Sequence, residues 1–337
     1  MLASGKMNPD LTAEYRAATE AVAVADLSAR GRLRVTGADA TRFLQGQFTN
    51  DISALKVGQG CYAALCNAKG KMRGDAVIYR LADSYLLDVE PLQSEPTKTS
   101  LERFIIADDV QVTDVGVDWG KEVQEGSLKL MQFAVIGPKA KELIYETCPE
   151  ISLPKEKYSF VEYDGDFISR TLRATVESYD FIMRVSYHIT YHTLMGGTSE
   201  LLYDEAVETL RIEAGIPRYG VDMDENTIPI EAGIESRAIS YTKGCYIGQE
   251  VIARIHSGGH VNRHLVGLKV GGNNVPSHGE IIFYDGKEVG SVTSACFSPK
   301  LNAPLALGYV RRDASAVGTK LVVGSSDAEI VALPLKS

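Results

Sequence analysis

Apolar residues return at helical spacing over residues 9–22, where Tyr15, Ala18 and Val22 share one face, and this predicts an opening helix. A short strand at 33–35 follows, and Thr36-Gly37-Ala-Asp39 introduces a helix carrying Phe43 and Leu44. The same order recurs about one hundred residues later as a strand at 132–136, Gly137-Pro138 and a helix over 139–148, with Pro138 suited to a first helical turn. The recurrence suggests a duplicated α+β half in which strands and a helix cover one face. Between the copies, 61–65 and 76–81 read as a hairpin joined by Asn67-Ala-Lys69-Gly70-Lys71, and 85–89 continues the sheet. Pro96 begins a helix through Leu101, Phe104 and Ile105, and 110–115 returns as a strand. Residues 158–195 are rich in β-branched and aromatic side chains, including Phe181 and Ile189-Thr-Tyr191, which indicates more sheet. Ser199 then reads as the cap of a helix running to about Glu213.

From residue 265 short strands alternate with glycine-rich turns, at 265–270, 281–284, 289–295, 306–310, 321–323 and 330–333. Asp285-Gly286 is a hairpin signal within them. This stretch predicts a small β-barrel or sandwich, with the boundary near Ser257-Gly258-Gly259. The expected organisation is an α+β region over residues 1–256 and a barrel over 260–337.

Composition narrows the class. With 45% hydrophobic and 23% charged residues in 337, the chain is an ordinary globular protein long enough for two or three domains. A net charge of −9 disfavours nucleic-acid binding, which needs a basic footprint. The terminal 261–337 stretch carries +2 and the remainder −11, so neither part presents a polyanion surface. No run of eighteen apolar residues exists, so no membrane span is expected, and no secretory signal is visible. Cys61, Cys66, Cys148, Cys245 and Cys296 are scattered and odd in number, which argues against a disulfide framework and for a cytoplasmic location.

Tyr241-Thr-Lys243-Gly244-Cys245-Tyr246-Ile247-Gly248-Gln249-Glu250 places a lysine two residues before a cysteine, in a glycine-punctuated turn that leads into a short helix. A nearby ammonium or a helix N-terminus lowers a thiol pKa, while an ordinary buried cysteine behaves as a small hydrophobe. Both readings of Cys245 stay open on these residues. Glu213 falls on the apolar stripe of Tyr203, Ala206 and Leu210, where a carboxylate is costly unless paired with a ligand or with Arg211, Arg218 or Arg237. Asp75 opens a hairpin strand, facing a cleft or satisfying a turn. Asp222-Met-Asp224-Glu225-Asn226 fails as a calcium loop, because Thr227 and Gly233 stand where glycine and an acid are required. Gly258-Gly259 interrupts the spacing of His256, His260 and His264, which removes a metal-site reading.

Together these residues resemble the superfamily of the glycine-cleavage T-protein, a tetrahydrofolate-dependent aminomethyltransferase. The resemblance spans nearly the whole chain, through Asp26-Leu-Ser-Ala-Arg-Gly31, Phe43-Leu-Gln-Gly46, Thr49-Asn50-Asp51, Leu210-Arg-Ile-Glu213-Ala-Gly215-Ile-Pro217-Arg-Tyr219-Gly220 and Pro229-Ile-Glu231-Ala-Gly233. Lys243-Gly244-Cys245-Tyr246-Ile247-Gly248-Gln249-Glu250 is similar to the YgfZ-type folate-binding branch, linked to iron–sulfur cluster maintenance. The resemblance implies two α+β domains and a C-terminal β-barrel around a central folate cavity. It implies tetrahydrofolate, or a one-carbon derivative, held by Glu213 at the pterin and by Tyr219, Arg218, Arg254, Arg263 and Gln249. Glu213 and Cys245 are then expected to face one hollow. The first expectation is a folate-binding protein that supports iron–sulfur assembly or client proteins, with Cys245 activated by Lys243 as its working thiol. The alternative is a folate-dependent aminomethyltransferase or demethylase acting through Asp75. T-proteins carry two carboxylates at this hairpin start, and here Gly74-Asp75 keeps one, either as a general acid/base or as a relic.

Overall fold

The computed structural model describes residues 9–116, 129–163, 166–184 and 200–335. The hairpin read from the first alternation consists of strands Gly60–Cys66 and Met72–Arg80, paired antiparallel with Ala64 opposite Asp75. Tyr85–Val89, Gly31–Thr36 and Gln111–Asp114 extend it to five strands. Helices Ala40–Gln47 and Ser94–Glu102 contribute Phe43, Leu44 and Leu101 to a core with Leu33, Ile78 and Leu87 on one face of this sheet. Each fully buried Leu or Phe of this kind contributes about 2 kcal/mol. The opposite face carries Tyr62, Ala64, Val77, Tyr79 and Leu86, and these pack with Leu130 and Ile182 of a second sheet.

That second sheet has six strands in the order Glu200–Leu202, Ala23–Asp26, Leu130–Ile136, Ser178–Arg184, Asp166–Arg170 and Phe160–Tyr163. Ala23–Asp26 runs parallel to Glu200–Leu202 and antiparallel to Leu130–Ile136. Helix Ala140–Thr147 covers one side through Leu143 and Ile144, and helix Pro9–Glu20 packs Leu11, Tyr15 and Ala18 with Leu210.

A buried polar seam joins the two sheets. Arg173 reaches Asp88 at 3.1 Å and Asp180 at 2.5 Å, and the Gln132 amide donates to Asp180 at 2.8 Å. Asp88 and Asp180 are both fully buried. Burial alone would raise the Asp88 carboxyl, but Arg30 and Arg173 outweigh it and hold the group below the usual carboxylate range.

Six strands between Arg263–Val270 and Ser326–Val331 close into a barrel around Leu268, Ile282, Val292 and Leu321. Its Asp285-Gly286 turn has φ of 49° and 72°, the positive pair that a two-residue hairpin of this hand requires. The architecture is therefore α+β domains with a C-terminal closed six-strand barrel, as expected.

Two local expectations change. The helix ending at Glu213 starts at Asp204, because Glu200–Leu202 is drawn out as an edge strand beside Ala23–Ala25; Ser199 itself lies outside the described residues. The helix after Pro96 ends at Glu102, and Phe104 follows in a turn closed by its own N–H on the Leu101 carbonyl. Ile189-Thr-Tyr191 also lies outside the described residues. No helix among the described residues is long and apolar enough to cross a membrane.

Candidate functional site

Strand pleat and register put Tyr62, Asp75 and Val77 on the same inner face of the five-stranded sheet. There the Tyr62 hydroxyl donates to Asp75 Oδ2 at 2.5 Å, while Oδ1 receives no hydrogen bond from the described residues. Asp75 lines a narrow throat of about 50 Å³ with Tyr62, Glu90, Tyr158, Arg173 and Arg237. Burial pushes the Asp75 carboxyl up to about 6, helped by the charge of Glu90 and opposed by Tyr62, Arg30 and Arg237. A carboxyl poised near neutral pH, with one oxygen held and one free, is equipped to accept and return a proton.

The throat adjoins a wider compartment of about 410 Å³, along Arg30, Glu90, Leu172 and Arg173. Leu27, Pro91, Val207 and Ile216 give it apolar walls, and Arg218 stands within it. Arg30 is anchored to Asp88 at 2.7 Å and to Glu90 at 2.5 Å, so the polar seam between the sheets is also the cavity wall. Beyond it, Arg211 pairs with Asp222 at 2.7 Å, and Ser294 of the barrel donates to the same carboxylate.

The residues expected at the site divide into two groups. Asp75 and Arg218 line the cavity, although Arg218 already pairs with Glu208. Tyr219 lies close enough to feel Asp75: burial first, then that carboxylate, pushes its phenol up to about 12. Arg254 is exposed and pairs with Glu250 on its own helix, Gln249–His256, which Gln249 opens. Arg263 pairs with Glu231 and lies over the Tyr309 ring at 4.3 Å. None of Arg254, Gln249 or Arg263 lines either compartment.

Glu213 is 2% exposed and occupied by protein: the Tyr15 hydroxyl donates to one oxygen at 2.7 Å and the Ser298 hydroxyl to the other. This explains a carboxylate on an apolar stripe without any ligand. Replacing Glu213 by Ala strands two buried hydroxyls, so urea denaturation should show a loss of about 3 kcal/mol, with ligand affinity of the cavity unchanged. A variant of wild-type stability with weakened ligand binding would reverse this assignment.

The expected thiol activation also meets a different geometry. The Lys243 ammonium donates to the carbonyls of Gln45 at 2.7 Å, Phe48 at 2.6 Å and Asn50 at 2.6 Å, which uses all three of its N–H groups. It closes the carboxyl end of helix Ala40–Gln47, a site that favours a cation. Its charge acts on Asp51 and Cys61, and Cys245 is exposed on the surface turn. Gly248, at φ 90°, packs so tightly that a Cβ there would meet the Asn67 carbonyl at 2.6 Å. The lysine–cysteine stretch thus clamps the helix and the hairpin turn before Asp75. Neither Glu213, buried against Tyr15 and Ser298, nor the exposed Cys245 lines the throat or the wider compartment.

Nothing in the sequence marks Tyr62, Arg30, Glu90 or Arg173 for the site, and Arg237, expected as a partner for Glu213, lines the throat beside Asp75 instead. Tyr62 was legible only through register, since nothing before pairing sets it diagonal to Asp75. Arg30 stood inside the quoted Asp26–Gly31 motif.

Comparison with known proteins follows the same outline. The family model described as GCVT N-terminal domain matches residues 4–188, and that of the glycine cleavage T-protein C-terminal barrel domain matches 263–336. The chain is 28% identical over 325 residues to a protein of Caldanaerobacter subterraneus subsp. tengcongensis named Aminomethyltransferase, covering 93% of this chain and 83% of that one. It is 29% identical over 333 residues to a protein of the same name from Nostoc sp., with the same coverage. The crystal structure of glycine cleavage system aminomethyltransferase T from Bartonella henselae superposes with a TM-score of 0.84 at 23% identity, over 96% of this chain and 89% of that one. These relatives overturn the expectation of an iron–sulfur assembly role with Cys245 as working thiol, and they favour the alternative.

Proposed function

Because the chain belongs to the glycine cleavage T-protein family, whose N-terminal domain matches more than half of it, we propose that it is a tetrahydrofolate-dependent aminomethyltransferase working at Asp75. The observation that carries the reading is the half-held carboxylate: Oδ2 bound by Tyr62, Oδ1 without a partner, in a throat that opens into an apolar-walled compartment. Such a cavity fits an elongated ligand with a polar ring and an anionic tail. Folate supplies two secondary amines that take up the methylene carbon of a donor X–CH2–NH3⁺, giving methylene-tetrahydrofolate, HX and ammonium. Asp75 accepts an amine proton through Oδ1 and returns it to the departing group, so the carboxylate is regenerated. Tyr62 keeps Asp75 in place, and the apolar walls exclude competing water. Arg218, on the wider compartment, is the cation for the anionic tail, in exchange for part of its contact with Glu208.

Within the family, Lys243-Gly244-Cys245-Tyr246-Ile247-Gly248-Gln249-Glu250 supports the YgfZ-type branch in sequence, and its work in this reading is structural. The test supplies purified protein with tetrahydrofolate and an S-aminomethyl thiol, and measures methylene-tetrahydrofolate and ammonia. Equal amounts of both, formed faster than without protein, are expected; no acceleration by the wild type removes the proposal. Cys245→Ser should retain turnover within about twofold of wild type, since an exposed side chain outside the cavity makes no contact with the reacting atoms. A hundredfold loss in that variant would return the thiol to the chemistry.

A further inference from the structure

Among the described residues, five arginines line the cavity, and four are committed to carboxylates: Arg30, Arg173, Arg211 and Arg218. Arg237 has no such partner. Its guanidinium lies over the Tyr62 ring at 4.7 Å, the ring whose hydroxyl holds Asp75. Both members of the stack are fastened from behind by one side chain, because the Asn50 amide donates to the Tyr62 carbonyl at 2.9 Å and to the Arg237 carbonyl at 3.1 Å. The assembly is built across three separate segments of chain, and it ends at Oδ2 of Asp75, the oxygen that the Tyr62 hydroxyl holds.

We infer that Arg237, stacked on Tyr62 and locked to it through Asn50, is a positioning residue that fixes the orientation and protonation of Asp75. The inference rests on the reading of Asp75 as the proton acceptor. Other groups face Asp75 as well. Glu90 raises the Asp75 carboxyl, and Arg30, paired with Glu90 at 2.5 Å, opposes it. Tyr62, Tyr219 and Tyr158, the last hydrogen-bonded to Arg237, are uncharged near neutral pH. Asp88 and Arg173, further along the throat, are paired. Arg237 is therefore, among the described residues, the cation beside Asp75 that no carboxylate holds. A planar guanidinium also covers the ring face in a way that an ammonium does not.

The experiment is a pH titration of the protein labelled with ¹³C at the aspartate carboxyls, read by NMR, with Asp75→Asn identifying the signal. In Arg237→Gln the Asp75 midpoint should rise by roughly one pH unit, as expected for loss of a nearby opposite charge. Arg237→Lys should bring the midpoint back toward wild type while the loosened Tyr62 leaves turnover several-fold lower. Tyr62→Phe, which keeps the ring and loses its hydrogen bond, should raise the midpoint too and serves if Arg237→Gln does not fold. An unchanged midpoint in folded Arg237→Gln, or in Tyr62→Phe where that variant stands in for it, overturns the inference; so does a normal midpoint with lowered stability alone. The titration needs no turnover, so a wild type that forms no methylene-tetrahydrofolate removes the proposed reaction and leaves the positioning result to be judged by the midpoints.

Discussion

Replacing Asp75 by Asn should lower turnover by about 10²–10⁴-fold, the usual contribution of a positioned proton acceptor, while tetrahydrofolate affinity falls little. The amide matches the carboxylate in shape and keeps an oxygen for the Tyr62 hydroxyl, so the throat stays intact. Steady-state assay of methylene-tetrahydrofolate with a parallel binding titration separates the two quantities. In the wild type, kcat should fall tenfold per pH unit below about 6, where Asp75 takes up its proton. Stability gives an independent reading with a defined sign. An ordinary aspartate ionises near pH 3.9 in the unfolded chain, whereas Asp75 does so near 6 when folded. Between these values the native state binds the extra proton, so stability from this group falls as pH rises through that window and stays lower above it. Asp75→Asn should accordingly be as stable as wild type or more so at pH 7, yet nearly inactive. Full turnover in that variant would make Asp75 a relic.

Lys243→Met should destabilise the protein by about 3 kcal/mol in urea denaturation. Three hydrogen bonds from a charged donor contribute roughly 1.5–3 kcal/mol each, offset by the cost of burying the ammonium. Methionine fills the space and leaves the carbonyls of Gln45, Phe48 and Asn50 without donors. Burial pushes the Lys243 ammonium down to about 8, so it is still charged at pH 7. Hydrogen exchange should report faster opening at the end of helix Ala40–Gln47 and around Asn50, ahead of the barrel. Loss of activity at full stability would contradict the clamp and point back to chemistry at Lys243.

The periodicities were legible where one face of an element meets a core. Phe43 and Leu44, the 85–89 run and the Asp285-Gly286 turn each announced their element, because local spacing and backbone preference agreed with tertiary packing. Edge strand Glu200–Leu202 was hidden because three residues carry no period, and only the parallel partner Ala23–Ala25 extends them. Asp75 was visible as a candidate, but its poise depends on Tyr62 from the paired strand and on Glu90 just past the end of Tyr85–Val89. Lys243 and Cys245 showed the limit of adjacency. Two residues along a turn separate a buried side chain from an exposed one, so neighbours in sequence have different environments in space. Glu213 was correctly marked as an expensive carboxylate; that a tyrosine 198 positions earlier and a serine 85 positions later satisfy it is long-range information that no local pattern holds.

Those two separations bear on how the polypeptide matures as it leaves the ribosome. The five-stranded sheet draws all its strands from residues 31–114 and has everything it needs early. The opening helix instead waits: Tyr15 has no acceptor until Glu213 emerges, and Glu213 is not satisfied until Ser298 is made. Premature release at the barrel leaves a nascent product with a naked carboxylate in oil and an unsecured start, a natural mark for proteolytic quality control.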